Sequence, residues 1–437
     1  MANSKGKDTN IEEKLLEVID KSQTYNPLMQ ALKSNDKKNL FTSNVSTAFI
    51  KTGFPLFDYY FGSAVNVHDE MGKIIRQDAR IGQAAGSFNL IVGGSGSGKT
   101  TFAVQLAANI IRQFKHANVI HFDCEQRFDM SRAETISGLP SEYFANDLYE
   151  IRAGMIGLDT IQETIVKVWS NKMKLKDELT VKASHVDEFG KPVEMLEPTV
   201  IIIDSITTVL SETVSADSNK DVTDAEKLRS NTDGARDAKT MRGLLRDVLP
   251  QCKEANIIIY GISHINSNMS MNAFLPPAKQ QNYLKQDESI PGGKSMIYAP
   301  YSIIKLIAKP SDDFTEDADG FAGHIVLVEP IKSSSNQSGN NSKGVSFELV
   351  FRQKYGFDSL RSLILYGRDQ GIIEGNKGRL KFKDNPEYVF SWKNIYSDVK
   401  EKPIWQDVKR FIIPRLDEKL SHVSVDELNS NGNLLDY

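Results

Sequence analysis

The run GGSGSGKTT, from Gly93 to Thr101, contains the residues whose chemistry is easiest to interpret. It fits the pattern G-x-x-x-x-G-K-[ST], which cradles nucleotide phosphates in backbone N–H groups when it follows a strand and begins a helix. Lys99 is predicted to reach the β- and γ-phosphates and Thr100 to hold Mg²⁺. ATP and Mg²⁺ are therefore the predicted cofactors, with these candidate binding residues: Gly93, Gly94, Ser95, Gly96, Ser97, Gly98, Lys99, Thr100 and Thr101.

Three further polar residues follow apolar runs of the kind that form buried strands. Asp204 ends VIIID and is a second candidate ligand of Mg²⁺. Glu125 ends HFDCE and could polarise the water that attacks the γ-phosphate, as a general base. His264 follows IIIYGIS and could sense that phosphate through a hydrogen bond. The plainer alternatives are a helix cap for Asp204, a surface carboxylate for Glu125 and a structural role for His264.

The elements that would position these residues alternate along the chain between strand and helix. FNLIVG, ANVIHFDCE, TVIIIDS and NIIIYGIS are nearly continuous apolar runs, and KTTFAVQLAANIIRQF has a helical pattern. Such runs predict an α/β fold with a mostly parallel sheet that is buried on both faces. Residues 172–198 interrupt the pattern as a hairpin tip or surface insertion, and residues 266–291 form a long polar loop.

The composition narrows the class of protein. The chain has 437 residues, 25% of them charged, a net charge of −4 and only two cysteines, Cys124 and Cys252. This predicts a large core without a disulfide framework. No apolar run is long enough to cross a membrane and the first residues lack a signal-peptide core, so a cytoplasmic location is predicted. An acidic chain that binds DNA needs a local basic path.

The motifs GGSGSGKTT, FDCE, IIIDS and IIIYGISH occur in an order that resembles the RecA-type recombinases, most closely the UvsX recombinases of tailed bacteriophages. GARDAKTMRGLLRDVLP resembles the helix after the first DNA-facing loop of that family, and PGGKSMIY resembles the end of the second. The likeness spans roughly residues 44–416 and is most specific around the nucleotide motifs. If the chain is phage-encoded, its compartment is the bacterial host cytoplasm.

The resemblance implies a RecA-like P-loop ATPase core and a role for each matching residue. Lys99 and Thr100 bind phosphate and Mg²⁺, Glu125 activates water, Asp204 supports the metal, and His264 couples hydrolysis to DNA. Lys332, in VEPIKSS, matches a basic segment that touches the nucleotide of a neighbouring subunit, although only one cation stands where some relatives have two. The implied organisation is a polar, helical subunit-contact segment at 1–46, a core at 47–355, a C-terminal domain at 356–416 and an acidic tail at 417–437.

Three segments are candidates for contact with DNA. The loops at 214–233 and 266–291 are the implied DNA-facing loops, and aromatic residues interleaved with lysines suit single strands. The run GNKGRLKFKD would place alternate cations on one face of a strand. The alternative for the loop at 266–291 is a flexible lid, and the alternative for the basic run is a solvated hairpin face. The candidate DNA-binding residues are Phe274, Lys279, Tyr283, Lys285, Lys294, Arg379, Lys381 and Lys383.

The implied function is an ATP-dependent DNA recombinase that forms a helical filament on single-stranded DNA and pairs it with homologous duplex DNA. Its expected partners are both DNA forms, further copies of the chain, and single-strand-binding and loader proteins. One alternative is a hexameric replicative helicase, which usually carries a sizeable N-terminal domain and an arginine finger, neither of which is evident in the sequence. The other is a recombination accessory protein that binds ATP and hydrolyses little of it.

Overall fold

Nine strands form the central sheet of the computed structural model. The structure describes residues 47–70, 72–154, 156–209, 233–267, 284–285, 288–309, 323–335 and 346–420. Its strands are β1 Phe49–Ile50, β2 Ser63–His68, β3 Ile74–Arg80, β4 Gln83–Ala84, β5 Phe88–Gly93, β6 Asn118–Asp123, β7 Tyr149–Ala153, β8 Thr180–Val186, β9 Pro192–Leu196, β10 Thr199–Asp204, β11 Ile257–His264, β12 Asn266–Ser267, β13 Glu288–Ser289, β14 Ser302–Ala308, β15 Gly323–Ser333, β16 Phe347–Arg352, β17 Gly356–Asp358, β18 Ile373–Asn376, β19 Arg379–Phe382 and β20 Asn385–Phe390.

Helices connect these strands and cover the sheet. They are α1 Pro55–Tyr60, α2 Lys99–Ile111, α3 Met130–Ser137, α4 Ser141–Ala145, α5 Leu158–Lys174, α6 Lys176–Leu179, α7 Asp233–Ala255, α8 Ser295–Tyr298, α9 Ser359–Asp369, α10 Ile395–Glu401, α11 Ile404–Asp407 and α12 Ile413–Leu420, with a π-helix at Val408–Ile412 between α11 and α12. The described residues belong to one unit that begins at Thr47.

The predicted α/β fold with a mostly parallel sheet is confirmed. The order of the strands in the central sheet is β17-β16-β15-β14-β5-β11-β10-β6-β7. Strands β14, β5, β11, β10, β6 and β7 pair in parallel, and the other edge, from β15 to β17, is antiparallel. The register aligns His264 with Gly93 and Asp204 with Asp123. Because parallel strands all end at the same edge of a sheet, the phosphate loop and the polar strand ends meet there.

Side chains alternate across the strands and fill a core on each face. On β10, Ile202 joins the cluster that contains α1, α2 and α9, whereas Ile201 and Ile203 join the cluster that contains α5 and α7. Both faces of the strand are therefore apolar, which explains why it reads as an uninterrupted apolar run.

Two antiparallel hairpins extend the core outside the sheet. One is β2–β3, and the other is β8–β9, which lies within the charged segment at 172–198. The predicted hairpin is present, but the first residues of that segment are the end of α5, where Lys172 is buried. The hairpins contact each other, since Arg80 Nη2 lies 3.1 Å from Glu188 Oε1 and the His68 N–H donates to the Glu188 carbonyl.

The C-terminal residues pack directly on the sheet. Strand β17 belongs to the central sheet, and α9 packs against β16 within the same hydrophobic cluster as α2. Helix α12 continues to the buried Leu420, so it includes the first four residues of the segment interpreted as an acidic tail. Residues 1–46 and 421–437 lie outside the described part of the chain.

Candidate active site

The phosphate loop lies between β5 and α2, as its motif requires. Gly98 has a φ of 84°, a left-handed conformation that glycine adopts without strain, and no side chain caps the helix that it precedes. The first N–H groups of α2 are therefore available to an anion. At Gly93 a Cβ atom would lie 2.4 Å from the carbonyl oxygen of Leu306, so glycine is required by close packing of the backbone.

Lys99 is folded back over this loop. Its ammonium is buried and donates to the carbonyl oxygens of Gly93, at 3.1 Å, and Gly94, at 2.7 Å. Burial lowers the pKa of Lys99, while the carboxylates of Asp204 and Glu125 oppose that shift. The amine therefore lies at the loop where phosphate oxygens would replace the carbonyl groups as acceptors.

Thr100 and Asp204 meet in the position that the sequence predicts. The Thr100 hydroxyl donates to Asp204 Oδ2 at 2.6 Å, from the first turn of α2 to the end of β10. Desolvation raises the pKa of Asp204 to about 6, the Thr100 hydrogen bond opposes the rise, and Glu125 and Asp123 add to it. A hydroxyl and a carboxylate are hard oxygen donors of the kind that Mg²⁺ prefers, so these residues fit the predicted metal.

Glu125 lies between two basic side chains. Strand β6 ends at Asp123, so Glu125 follows in a turn and does not end the strand itself. Its Oε2 lies 3.4 Å from Arg127 Nη1, and its Oε1 lies 3.7 Å from His264 Nε2. The structure thus brings Glu125 and His264 together, and it adds Arg127 to them.

These residues line a single cleft of about 480 Å³. A cleft of this size suits a nucleotide. From the sequence-based candidates it contains Ser95, Gly96, Gly98, Lys99, Thr100, Thr101, Glu125, Asp204 and His264. It also contains residues that sequence analysis missed: Asp123, Arg127, Phe128, Arg132, Ile262, Phe351 and Gln353.

Two of the residues that sequence analysis missed, Arg127 and Arg132, are arginines. Arg127 follows Gln126, which has a left-handed φ of 53°, and this turn directs Arg127 back toward Glu125. The turn is held by Asp123, whose Oδ2 accepts the Phe128 N–H at 2.8 Å. The signal in the sequence was the pair of arginines shortly after FDCE, in the loop that leaves the carboxyl end of a parallel strand.

Lys332 lies toward the opposite end of the parallel strands from the phosphate loop. It pairs with Ile303 on β14, which in turn pairs with Leu90 near the beginning of β5, whereas the phosphate loop follows the end of β5. Its ammonium donates to the Tyr298 carbonyl at 2.6 Å. Lys332 is therefore placed away from the cleft of its own chain.

The described DNA candidates lie on the surface. Lys285 and Lys294 are exposed, and the PGG segment that lies between them contains left-handed glycines at Gly292 and Gly293. Arg379 and Lys381 share the face of β19 opposite the buried Leu380, and the exposed Lys383 follows the strand. The Lys381 ammonium lies 3.1 Å from Glu374 Oε1, which partly neutralises it. Phe274, Lys279, Tyr283 and the loop at 214–232 lie outside the described residues.

Comparison with known families is consistent with this geometry. Residues 65–236 match the model of an AAA domain, a segment that contains the phosphate loop, Glu125 and Asp204. No curated protein matches the chain. The match and the sheet topology are both consistent with a P-loop NTPase core. No helix of the described residues combines the length and apolar character that crossing a membrane requires.

Proposed function

We propose that the protein is an ATP-dependent DNA recombinase of the RecA type, which assembles on single-stranded DNA and exchanges strands with a homologous duplex. The observation that carries the proposal is the pair formed by Glu125 and His264 at the edge of the sheet that holds the phosphate loop. A carboxylate placed there is a candidate base for water, and a histidine at the start of the 266–291 segment connects it to the implied DNA-facing loop.

In the proposed reaction the chain's residues position the triphosphate and accept a proton. Lys99 and the N–H groups of α2 bind the phosphates, and Thr100 and Asp204 are placed to hold Mg²⁺. Mg²⁺ neutralises charge on the β- and γ-phosphates when it is bound. Glu125 accepts the proton of the attacking water, and His264 keeps that carboxylate oriented toward it.

A hexameric replicative helicase is the second candidate, because the AAA-domain match and the cleft suit it equally. Its neighbouring subunits would form a ring that translocates along DNA, whereas a recombinase forms an open helix. The two assemblies would differ in how copies of the chain contact one another, and Lys332 is the candidate residue for such contact in either case.

Electron microscopy of negatively stained protein decides between these candidates. The chain is mixed with single-stranded DNA and a non-hydrolysable ATP analogue. The control is Lys99→Ala, which lacks the lysine proposed to bind the phosphates. Helical filaments that need both ligands and fail to form in the control support the recombinase. Closed rings support the helicase, and unassembled protein that still binds the analogue supports an accessory role.

A further inference from the structure

Arg127 is a cation in the nucleotide cleft that has no part in the proposed hydrolysis. It lies two residues after Glu125 and lines the same cleft as Lys99 and Asp204. Its side chain is 81% exposed, whereas that of Glu125 is 22% exposed. A surface arginine that folds back onto a largely covered carboxylate in a phosphate site is in position to serve that site.

The cleft is lined by negative charges, which Arg127 partly offsets. Three carboxylates line it, on Asp123, Glu125 and Asp204, and all of them repel a polyanion. Asp204 faces Thr100, where Mg²⁺ is expected, and Asp123 is engaged by the Phe128 N–H. Glu125 faces the side chains of Arg127 and His264, and Arg127 is the one of the two that carries a permanent charge.

The backbone is shaped to hold Arg127 there. Gln126 has a left-handed φ of 53°, a conformation that costs a residue with a Cβ atom about 1 kcal/mol or more. In an extended conformation two residues that are two apart, such as Glu125 and Arg127, also point to the same side, but their Cα atoms lie about 6.6 Å apart. The turn that the Asp123 carboxylate stabilises interrupts the extended backbone between them, and in it Arg127 Nη1 lies 3.4 Å from Glu125 Oε2.

We infer that Arg127 determines the specificity of the cleft for a nucleoside triphosphate over a diphosphate. In the free protein its guanidinium pairs with Glu125. When a triphosphate enters, the guanidinium transfers to the oxygens of the terminal phosphate, which it can bind in a bidentate manner, and the Glu125 carboxylate becomes free to accept a proton from water. A diphosphate has no terminal oxygens at this position and leaves the ion pair in place.

This inference rests on the proposed binding of ATP, and direct binding measurements separate the two. Fluorescent derivatives of a non-hydrolysable ATP analogue and of ADP are titrated, with Mg²⁺, into the wild type, Arg127→Ala and Arg127→Lys. Arg127→Ala should lose about 10- to 100-fold in affinity for the triphosphate and change by less than about twofold for ADP. The affinity of Arg127→Lys for the triphosphate should lie between those of the wild type and Arg127→Ala, since lysine keeps the charge and loses the planar guanidinium.

Arg246→Ala is the matched control, because Arg246 is 79% exposed and also pairs with a carboxylate, that of Asp247 at 2.9 Å. It should leave both affinities unchanged. A second pair of variants tests the turn with every charge retained. Gln126→Gly, which adopts a left-handed φ without strain, should preserve the preference for triphosphate. Gln126→Val, which resists that φ, should reduce it as Arg127→Ala does.

The inference would be overturned if Arg127→Ala lost the same factor in affinity for both nucleotides, or if its affinity for the triphosphate were that of the wild type. If Lys99→Ala abolishes binding in the same assay, the nucleotide site stands and only the role of Arg127 is lost. A wild-type protein that binds neither nucleotide removes the proposed ATPase and this inference together.

Discussion

The carboxylate of Glu125 and the imidazole of His264 approach within 3.7 Å across the end of β10, although 138 residues separate them in the chain (264 minus 125, less one). Strand β10 lies between their strands in the sheet, so the two side chains lean toward each other over its last residue, Asp204. The proposed base, the proposed sensor and the proposed metal ligand are therefore one contiguous group.

Glu125→Gln should retain nucleotide binding and lose most hydrolysis, because the amide keeps the shape of the side chain and cannot accept a proton. The loss expected for removal of a general base is about 10²- to 10⁴-fold in kcat. Phosphate release at saturating ATP measures it. Glu163→Gln, an exposed carboxylate on α5 that pairs with Lys167, is the control and should have wild-type turnover. Turnover of Glu125→Gln within a few-fold of wild type would assign Glu125 to the surface.

Replacement of His264 should separate nucleotide binding from its response to DNA. Lys99 and Thr100 remain in His264→Ala, so the nucleotide should bind, but single-stranded DNA should no longer accelerate hydrolysis. His264→Asn offers a hydrogen bond of similar reach and should recover part of the stimulation. Hydrolysis rates with and without single-stranded DNA measure the effect. Equal stimulation in all three proteins would leave His264 with a structural role.

The strand ends of this site were predictable from the sequence for a physical reason. A parallel strand buried on both faces is apolar throughout, so the first polar residues after it mark the sheet edge where ligands bind. Asp204, Glu125 and His264 were found in this way. The structure confirms that they meet, while their catalytic roles remain predictions.

Other parts of the site were hidden because they depend on distant pairing or on a local turn. Phe351 and Gln353 enter the cleft only because β16 reaches the sheet through two antiparallel neighbours, and nothing in their own segment indicates that position. Arg127 depends on a left-handed Gln126, where the sequence has no glycine to suggest a positive φ. The hairpin β8–β9 was indicated by DEFGKP, whereas its contact with β2–β3 required tertiary structure.

Asp204→Asn should abolish Mg²⁺-dependent hydrolysis and stabilise the fold. Burial raises the pKa of Asp204 from 3.8 to about 6. Above that pH the native protein therefore contains a buried negative charge that desolvation destabilises. Between these two values the native state binds more protons at this group than the unfolded chain does, so the stability that it contributes falls as the pH rises. Removing the charge should add about 1–3 kcal/mol to the free energy of unfolding near neutral pH.

Denaturant unfolding of both proteins at two pH values measures this effect. The gain in Asp204→Asn should be full at about pH 7.5 and less than half of that at about pH 4.5, where the wild-type carboxyl is largely protonated in the native state. A gain that is independent of pH would show that it comes from packing. A loss of stability at both values would show that the charge of Asp204 is compensated within the fold.

Lys332→Ala should affect assembled protein more than single chains. Because Lys332 lies at the opposite edge of the sheet from the phosphate loop of its own chain, nucleotide affinity at low protein concentration should be within about twofold of wild type. Hydrolysis in the presence of single-stranded DNA should fall strongly if the lysine serves a neighbour's nucleotide. Lys332→Arg should retain more activity than Lys332→Ala. An equal loss in dilute and assembled protein would point to the contact with Tyr298 instead.

An acidic chain that holds DNA must do so through local cations, and the salt dependence of binding identifies them. Each phosphate that is neutralised contributes a slope of about 0.7 on single strands and about 0.9 on duplex DNA in a plot of log affinity against log salt. Neutralising the exposed Lys285 and Lys294 together should lower single-strand affinity and reduce that slope by about one to two. On β19 the expected loss is in duplex binding, and it should be greater for Arg379→Ala than for Lys381→Ala.

The difference on β19 follows from Glu374, which lies 3.1 Å from the Lys381 ammonium and already offsets its charge. Glu374→Gln should therefore strengthen duplex binding by freeing Lys381, chiefly at low salt, and should lose this effect when Lys381 is also replaced. Fluorescence anisotropy with labelled single-stranded and duplex DNA over a range of salt concentrations measures all five variants. If Arg379, Lys381 and Glu374 variants share the wild-type slope on duplex DNA, the duplex path does not cross this strand.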